Sequence, residues 1–218
     1  MGENQKLKED FEIYELVNQI IVTIVYACTL VLIVPFVGIY TQGIHDVNYV
    51  RPIFACVFVI AEFFYMLRNP YNIIISTSGH FKETKTGAWI ESLINIVFSV
   101  VLISRYGMIG VAIGTLIAMM YRTIDLFLYS DRVILKRSIS KSFRIILISV
   151  CELVLVYAIS VLIPIENVTT YVGWIKYGIF TFCISFVVVF GMSWLLYRHD
   201  ITRMYEIIKN ILKRNKKK

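Results

Sequence analysis

The sequence predicts an all-α membrane protein with six transmembrane helices, and three observations predict it. Hydrophobic residues make up 58% of the 218-residue chain, against about 45–50% in soluble domains. Charged residues make up 17%, below the usual ~25%, and most of them sit between the apolar runs. Those runs number six, each close to the ~20 residues a helix needs to cross a bilayer.

The formal net charge is +7. In a soluble protein this would suggest nucleic acid. Here the basic residues flank apolar runs, so anionic membrane lipids are the expected partner and nucleic acid is not. The four cysteines, Cys28, Cys56, Cys151 and Cys183, lie singly inside apolar runs. That spacing suits packing rather than metal binding or disulfides. The polar start MGENQKLKED does not read as a signal peptide. Lys6 stands where a myristoylation signal needs Ser or Thr.

Residues 1–16 are expected to form an amphipathic cytoplasmic lead-in, with Leu7, Phe11 and Tyr14 at helical spacing. Residues 17–197 form the membrane domain. Its first span covers about Val17 to Ile39, bent near Pro35. A polar loop with His45 and Asp46 follows. The second span covers about Pro52 to Ser78, with Pro52 in its first turn and a bend at Pro70. The third covers about Gly87 to Ser104. Only Arg105, Tyr106 and Gly107 separate it from the fourth, Met108 to Ser130, so these two are antiparallel neighbours. Gly107, Gly110 and Gly114 form a small-residue stripe suited to close helix packing. The fifth span runs from Phe143 to Ile163 and stops at Pro164. Asn167-Val168-Thr169 after it fits a glycosylation pattern that means nothing without the right compartment. The sixth runs from Lys176 to Tyr197. Residues 198–218 are expected to form a basic amphipathic tail ending in Lys216, Lys217 and Lys218.

Loop charges orient the chain. With six spans both termini share a side, and seventeen of the basic residues fall on that side. Only Arg51, Arg105 and Lys176 fall on the other. Both termini are therefore expected in the cytoplasm.

Six charges lie within spans: Arg68, Arg122, Glu62, Glu91, Asp125 and Glu152. A rise of ~1.5 Å per residue places all but Glu62 in the cytoplasmic half. Such residues face protein or a water-filled path rather than lipid. Two guanidiniums could hold a phosphate or pyrophosphate. Equally, the charges could neutralise one another: Arg122 and Asp125 are three apart on one helix, and Arg68 could reach Glu91 across the hairpin. Asn95 extends the polar stripe one turn beyond Glu91. Arg68, Arg122, Glu91 and Asn95 are the candidate substrate-binding residues. Glu62, Asp125 and Glu152 are candidates for coupling or charge pairing. No catalytic set and no metal-spaced cluster is present in the sequence, so neither enzyme chemistry nor a cofactor is expected.

The run from Leu67 to Thr123 carries Arg68-Asn69-Pro70, Gly79 with Phe81, Glu91 with Asn95, and Gly107 through Gly114-Thr115. In that order and spacing it resembles the C-terminal part of bacterial polysaccharide flippases, of the multidrug/oligosaccharidyl-lipid/polysaccharide exporter superfamily. The stretch Pro35 to Pro52 also resembles the family, and the likeness extends across residues 6–135. It implies a two-lobed transporter in the cytoplasmic membrane with a cationic central cavity. Members move lipid-linked oligosaccharide repeat units to the outer leaflet, so the implied ligand is their pyrophosphate. Arg68 and Glu91 fall on recurrent family positions, and Arg122 matches less closely. Full members have twelve to fourteen spans. The six here resemble the last six of a fourteen-span member, which implies a partial flippase whose partner is a missing N-terminal lobe or another polysaccharide-assembly protein. The alternative is a non-transporting six-span scaffold in a glycan-assembly complex.

Overall fold

The computed structural model describes residues 3–44, 46–163, 168–198 and 201–203. His45, Pro164, Asn167, His199 and the tail from Met204 onward lie outside the described residues. Among the described residues there is no strand, and six helices are long and apolar enough to cross a membrane. The chain is an all-α, six-span membrane protein.

Helix α1 spans Glu3–Tyr40 without interruption. The sequence separates a surface lead-in from a span beginning at Val17, but the structure joins them. The reason is local: no Gly or Pro occurs between Glu3 and Val34, so nothing ends the helix. Its 38 residues extend ~57 Å at ~1.5 Å each, well beyond a ~30 Å hydrocarbon core. The early turns therefore project past the apolar layer.

The second span is two helices, α2 (Pro52–Leu67) and α3 (Asn69–Thr77), broken at Arg68. The break sits two residues ahead of Pro70. Pro70 has no N–H for the Met66 carbonyl, and its ring disfavours helical geometry just before it. The Asn18 amide donates to that Met66 carbonyl at 3.4 Å. The Thr123 hydroxyl donates to the Phe64 carbonyl at 3.0 Å. Neighbouring helices thus satisfy the backbone that the kink disturbs, as a membrane interior requires.

A turn through Gly79, at φ +75°, leads into α4 (Phe81–Tyr106), which starts six residues before the predicted third span. Its charged first turn carries Lys82, Glu83 and Lys85, all exposed. Gly107 alone joins α4 to α5 (Met108–Tyr129), at φ +57°, a conformation open to glycine. Helix α5 runs on into one wide π-helical turn, Ser130–Ile134, where the sequence suggests a loop. Helix α6 covers Ile139–Leu162 and α7 covers Tyr171–Leu196. The Thr170 hydroxyl caps α7 by accepting from the Gly173 N–H at 3.2 Å.

Helix α1 is the centre of the packing and touches α2, α6 and α7; α2 then packs on α5, and α5 on α4. One apolar core joins Val22 and Leu30 of α1 to Phe63 and Leu67 of α2 and Leu153 of α6. A second joins Phe11, Tyr71, Ile74, Leu126 and Phe127 near the start of α1. Helix α4 stands at the edge: no residue of its most apolar window is buried, and α5 is its main neighbour. The α4–α5 contact is close. A Cβ on Gly110 would lie 2.3 Å from the Leu102 carbonyl oxygen, and one on Gly114 2.6 Å from the Ser99 Oγ. Gly110 and Gly114 of the predicted stripe form this interface, whereas a Cβ on Gly107 would meet nothing within 4 Å and that residue serves the turn instead.

Candidate functional site

Three elements bring the intramembrane charges together. The break between α2 and α3 places Arg68. One face of α4 presents Glu91 and Asn95. The C-terminal half of α5 presents Arg122 and Asp125. Arg68 Nη1 donates to Glu91 Oε1 at 2.8 Å. Arg122 Nε lies 3.6 Å from Glu91 Oε2, so one carboxylate bridges both guanidiniums. Arg122 Nη1 donates to Asp125 Oδ2 at 2.6 Å and to the Thr84 carbonyl at 3.0 Å. The guanidinium of Arg68 also stacks 4.7 Å from the Tyr65 ring centroid. Both arginines are buried, at 7% and 8% exposure.

Close helix approach makes this possible. Gly87 of α4 sits directly under the pair: a Cβ there would fall 2.1 Å from Asp125 Oδ2 and 2.2 Å from Arg122 Nη1. Asn95 continues the stripe, its Oδ1 accepting from Ser99 Oγ at 3.0 Å and Thr115 Oγ1 at 3.4 Å. The four charges sum to zero. Arg68 Nε is buried without a hydrogen-bond partner, so one donor of the cluster is unspent.

The other two sequence candidates stand apart. Glu62 lies in α2 and meets no cation among the described residues. Glu152 of α6 is fully buried and accepts from Gln19 Nε2 of α1 at 2.8 Å, a neutral amide rather than a charge. The remaining oxygens Gln19 Oε1 and Glu152 Oε1 have no hydrogen-bond partner among the described residues. Of the three acids assigned to coupling or charge pairing, only Asp125 is ion-paired among the described residues. Cavities of 380–780 Å³ open elsewhere on the molecule. None of these four is lined by Arg68, Arg122, Glu91 or Asn95.

A second ion-pair cluster was not visible in the sequence. Arg137, between the π-turn and α6, donates from Nη1 and Nη2 to the two Glu15 oxygens at 2.8 and 2.7 Å. Its Nε donates to Asp131 Oδ1 at 2.7 Å and its Nη2 to Ser142 Oγ at 2.6 Å. Tyr71 of α3 donates to Glu15 Oε1 at 2.5 Å. The wide π-turn swings Asp131 inward to 0% exposure. Burial alone would lower the Arg137 pKa, but the hydrogen bonds and charge of Glu15, with Asp131, hold it above its ordinary value. A base held above its ordinary value stays charged throughout the working range, as Arg137 does. The cluster latches α1, α3, the π-turn and α6 together. The signal available was thin: Asp131 is an acid in an otherwise basic loop, and Glu12 and Glu15 share a helix face.

No protein-family model matches the chain, and comparison with characterised proteins and with solved structures finds no match to it either.

Proposed function

We propose that the six spans form part of a transporter that moves lipid-linked oligosaccharide repeat units across the cytoplasmic membrane. In this reading Arg68 and Arg122 receive the pyrophosphate. The observation that carries it is the pair of buried arginines held by one shared carboxylate, Glu91, at the α2–α4–α5 junction. A shared carboxylate is a placeholder for an anion: a pyrophosphate offers each guanidinium the same oxygen geometry with more charge. Arg68 Nε supplies a donor that Glu91 leaves unused. Helix α4 is buried on one side only, which suits a wall that a further set of spans completes.

The test is chromosomal substitution in the bacterium that makes the chain. Arg68→Ala should abolish surface polymer and accumulate lipid-linked repeat units on the inner leaflet, with the protein still inserted. Normal polymer with no accumulation sinks the transport reading. The charge neutrality of the cluster favours a second reading, a non-transporting scaffold whose charges only lock helices. There, loss of the whole chain reduces polymer while Arg68→Ala and Arg122→Ala, if inserted, do not.

Orientation belongs to the same proposal, with both termini cytoplasmic. In a cysteine-free background, Tyr49→Cys should react with an impermeant maleimide on intact cells. Lys82→Cys should react only after permeabilisation. The reverse pattern inverts the topology.

A further inference from the structure

Glu62 sits near the middle of the α2 span, about ten residues, or ~15 Å, from its start. Among the described residues it makes no hydrogen bond and no ion pair. Arg68 is the nearest arginine along α2, but it lies six residues on, on a different helix face, and is committed to Glu91. Arg51 lies eleven residues back, at the other end of the helix. It donates to the Asn48 carbonyl at 3.2 Å and contacts Met108 Sδ at 3.6 Å. An intramembrane carboxyl without a partner among the described residues is a functional feature by default.

Glu62 lines a groove of about 680 Å³ between α1, α2 and the segment Val47–Arg51. The groove walls are apolar, built by Val25, Tyr26, Phe54, Phe58 and Val59. Its volume falls in the range of small-molecule sites. Three of those residues, Tyr26, Phe54 and Phe58, are aromatic, and aromatic rings attract cations. Arg51 lines the same groove, but eleven residues or ~16 Å away along the helix; Glu62 is the acidic residue of the lining.

We propose that this groove binds a lipophilic cation, a positively charged centre carried on an apolar body, with Glu62 as its counter-ion. The apolar body takes the aliphatic and aromatic walls, and the positive centre completes the unpaired carboxyl. The site is separate from the Arg68–Glu91–Arg122 cluster and does not rest on the transport reading.

The probe is tetraphenylphosphonium, measured by equilibrium binding to the full chain in zwitterionic nanodiscs. Tetraphenylborate, of the same shape and opposite charge, is the control and needs no variant. Wild type should bind the cation saturably and prefer it over the anion by about tenfold or more, the size of one unshared charge contact of ~1.4 kcal/mol. Glu62→Gln, nearly isosteric, should weaken cation binding by a similar factor. Glu62→Asp should largely restore it. Equal binding of the two ions, unchanged affinity in Glu62→Gln, or no saturable binding overturns the proposal. Equal binding would make the groove a seat for a lipid acyl chain.

Discussion

Arg137→Ala should lower the thermal stability of the detergent-solubilised protein by about 10 °C. The substitution leaves Glu15 and Asp131, 2% and 0% exposed, without the cation that binds both. Removing one partner of a buried pair costs about 3–5 kcal/mol. In a chain of this size each kcal/mol shifts the midpoint by about 2–4 °C. Arg137→Lys should recover only part, because an ammonium cannot donate in parallel to both Glu15 oxygens and also reach Asp131 and Ser142. A loss below about 1 kcal/mol, the typical value for an exposed pair, would contradict the latch. Thermal melts read by tryptophan fluorescence are sufficient.

Glu91→Gln should have an effect of comparable size, inside the membrane. It removes the one carboxylate that both Arg68 and Arg122 face, leaving Arg68 without a negative partner and Arg122 with Asp125 alone. A loss of about 3–5 kcal/mol is expected. The informative comparison is the double substitution with Arg68→Gln. If Glu91 is destabilising to lose because Arg68 is then stranded, the pair should cost less than the sum of the singles by about 1–3 kcal/mol. Additive losses would mean that Glu91 and Arg68 do not act on each other, and the 2.8 Å contact would carry no energy.

Much of this fold was written in the sequence, and the reasons differ by element. Span number and order follow from apolar length, which a bilayer fixes. The α4–α5 hairpin follows from a single linking glycine and a glycine stripe. The Arg122–Asp125 pair follows from helical spacing, and the Arg68–Glu91 contact from a long arginine side chain that can reach across the hairpin towards the cytoplasmic end. The break at Arg68 rather than at Pro70 was legible in principle. Proline acts on the carbonyl four residues before it and on the residue just before it. The sequence pattern places helix starts late because charged first turns look like loops, as at Lys82 and Glu83.

The Arg137 latch was not legible. Glu15 and Arg137 are 122 residues apart, and no spacing rule links the start of α1 to the loop before α6. Arg137 is one of several basic residues there, and the loop composition gives no reason to single it out. It becomes special only because the π-turn rotates Asp131 inward, a backbone event with no sequence signature here. The same holds for Glu62. Its place in an apolar run was evident, but its lack of a cationic partner among the described residues depends on where Arg51 and Arg68 point.

In the proposed function the Arg68–Glu91–Arg122 cluster serves as an anion site for a lipid pyrophosphate. The most direct measurement is binding of a polyprenyl pyrophosphate, and of the matching polyprenol, to the full chain in nanodiscs. The account predicts that the pyrophosphate binds at least about tenfold more tightly, and that Arg68→Ala removes this preference while leaving the polyprenol affinity unchanged. Equal affinity for the two lipids in the wild-type protein would contradict it.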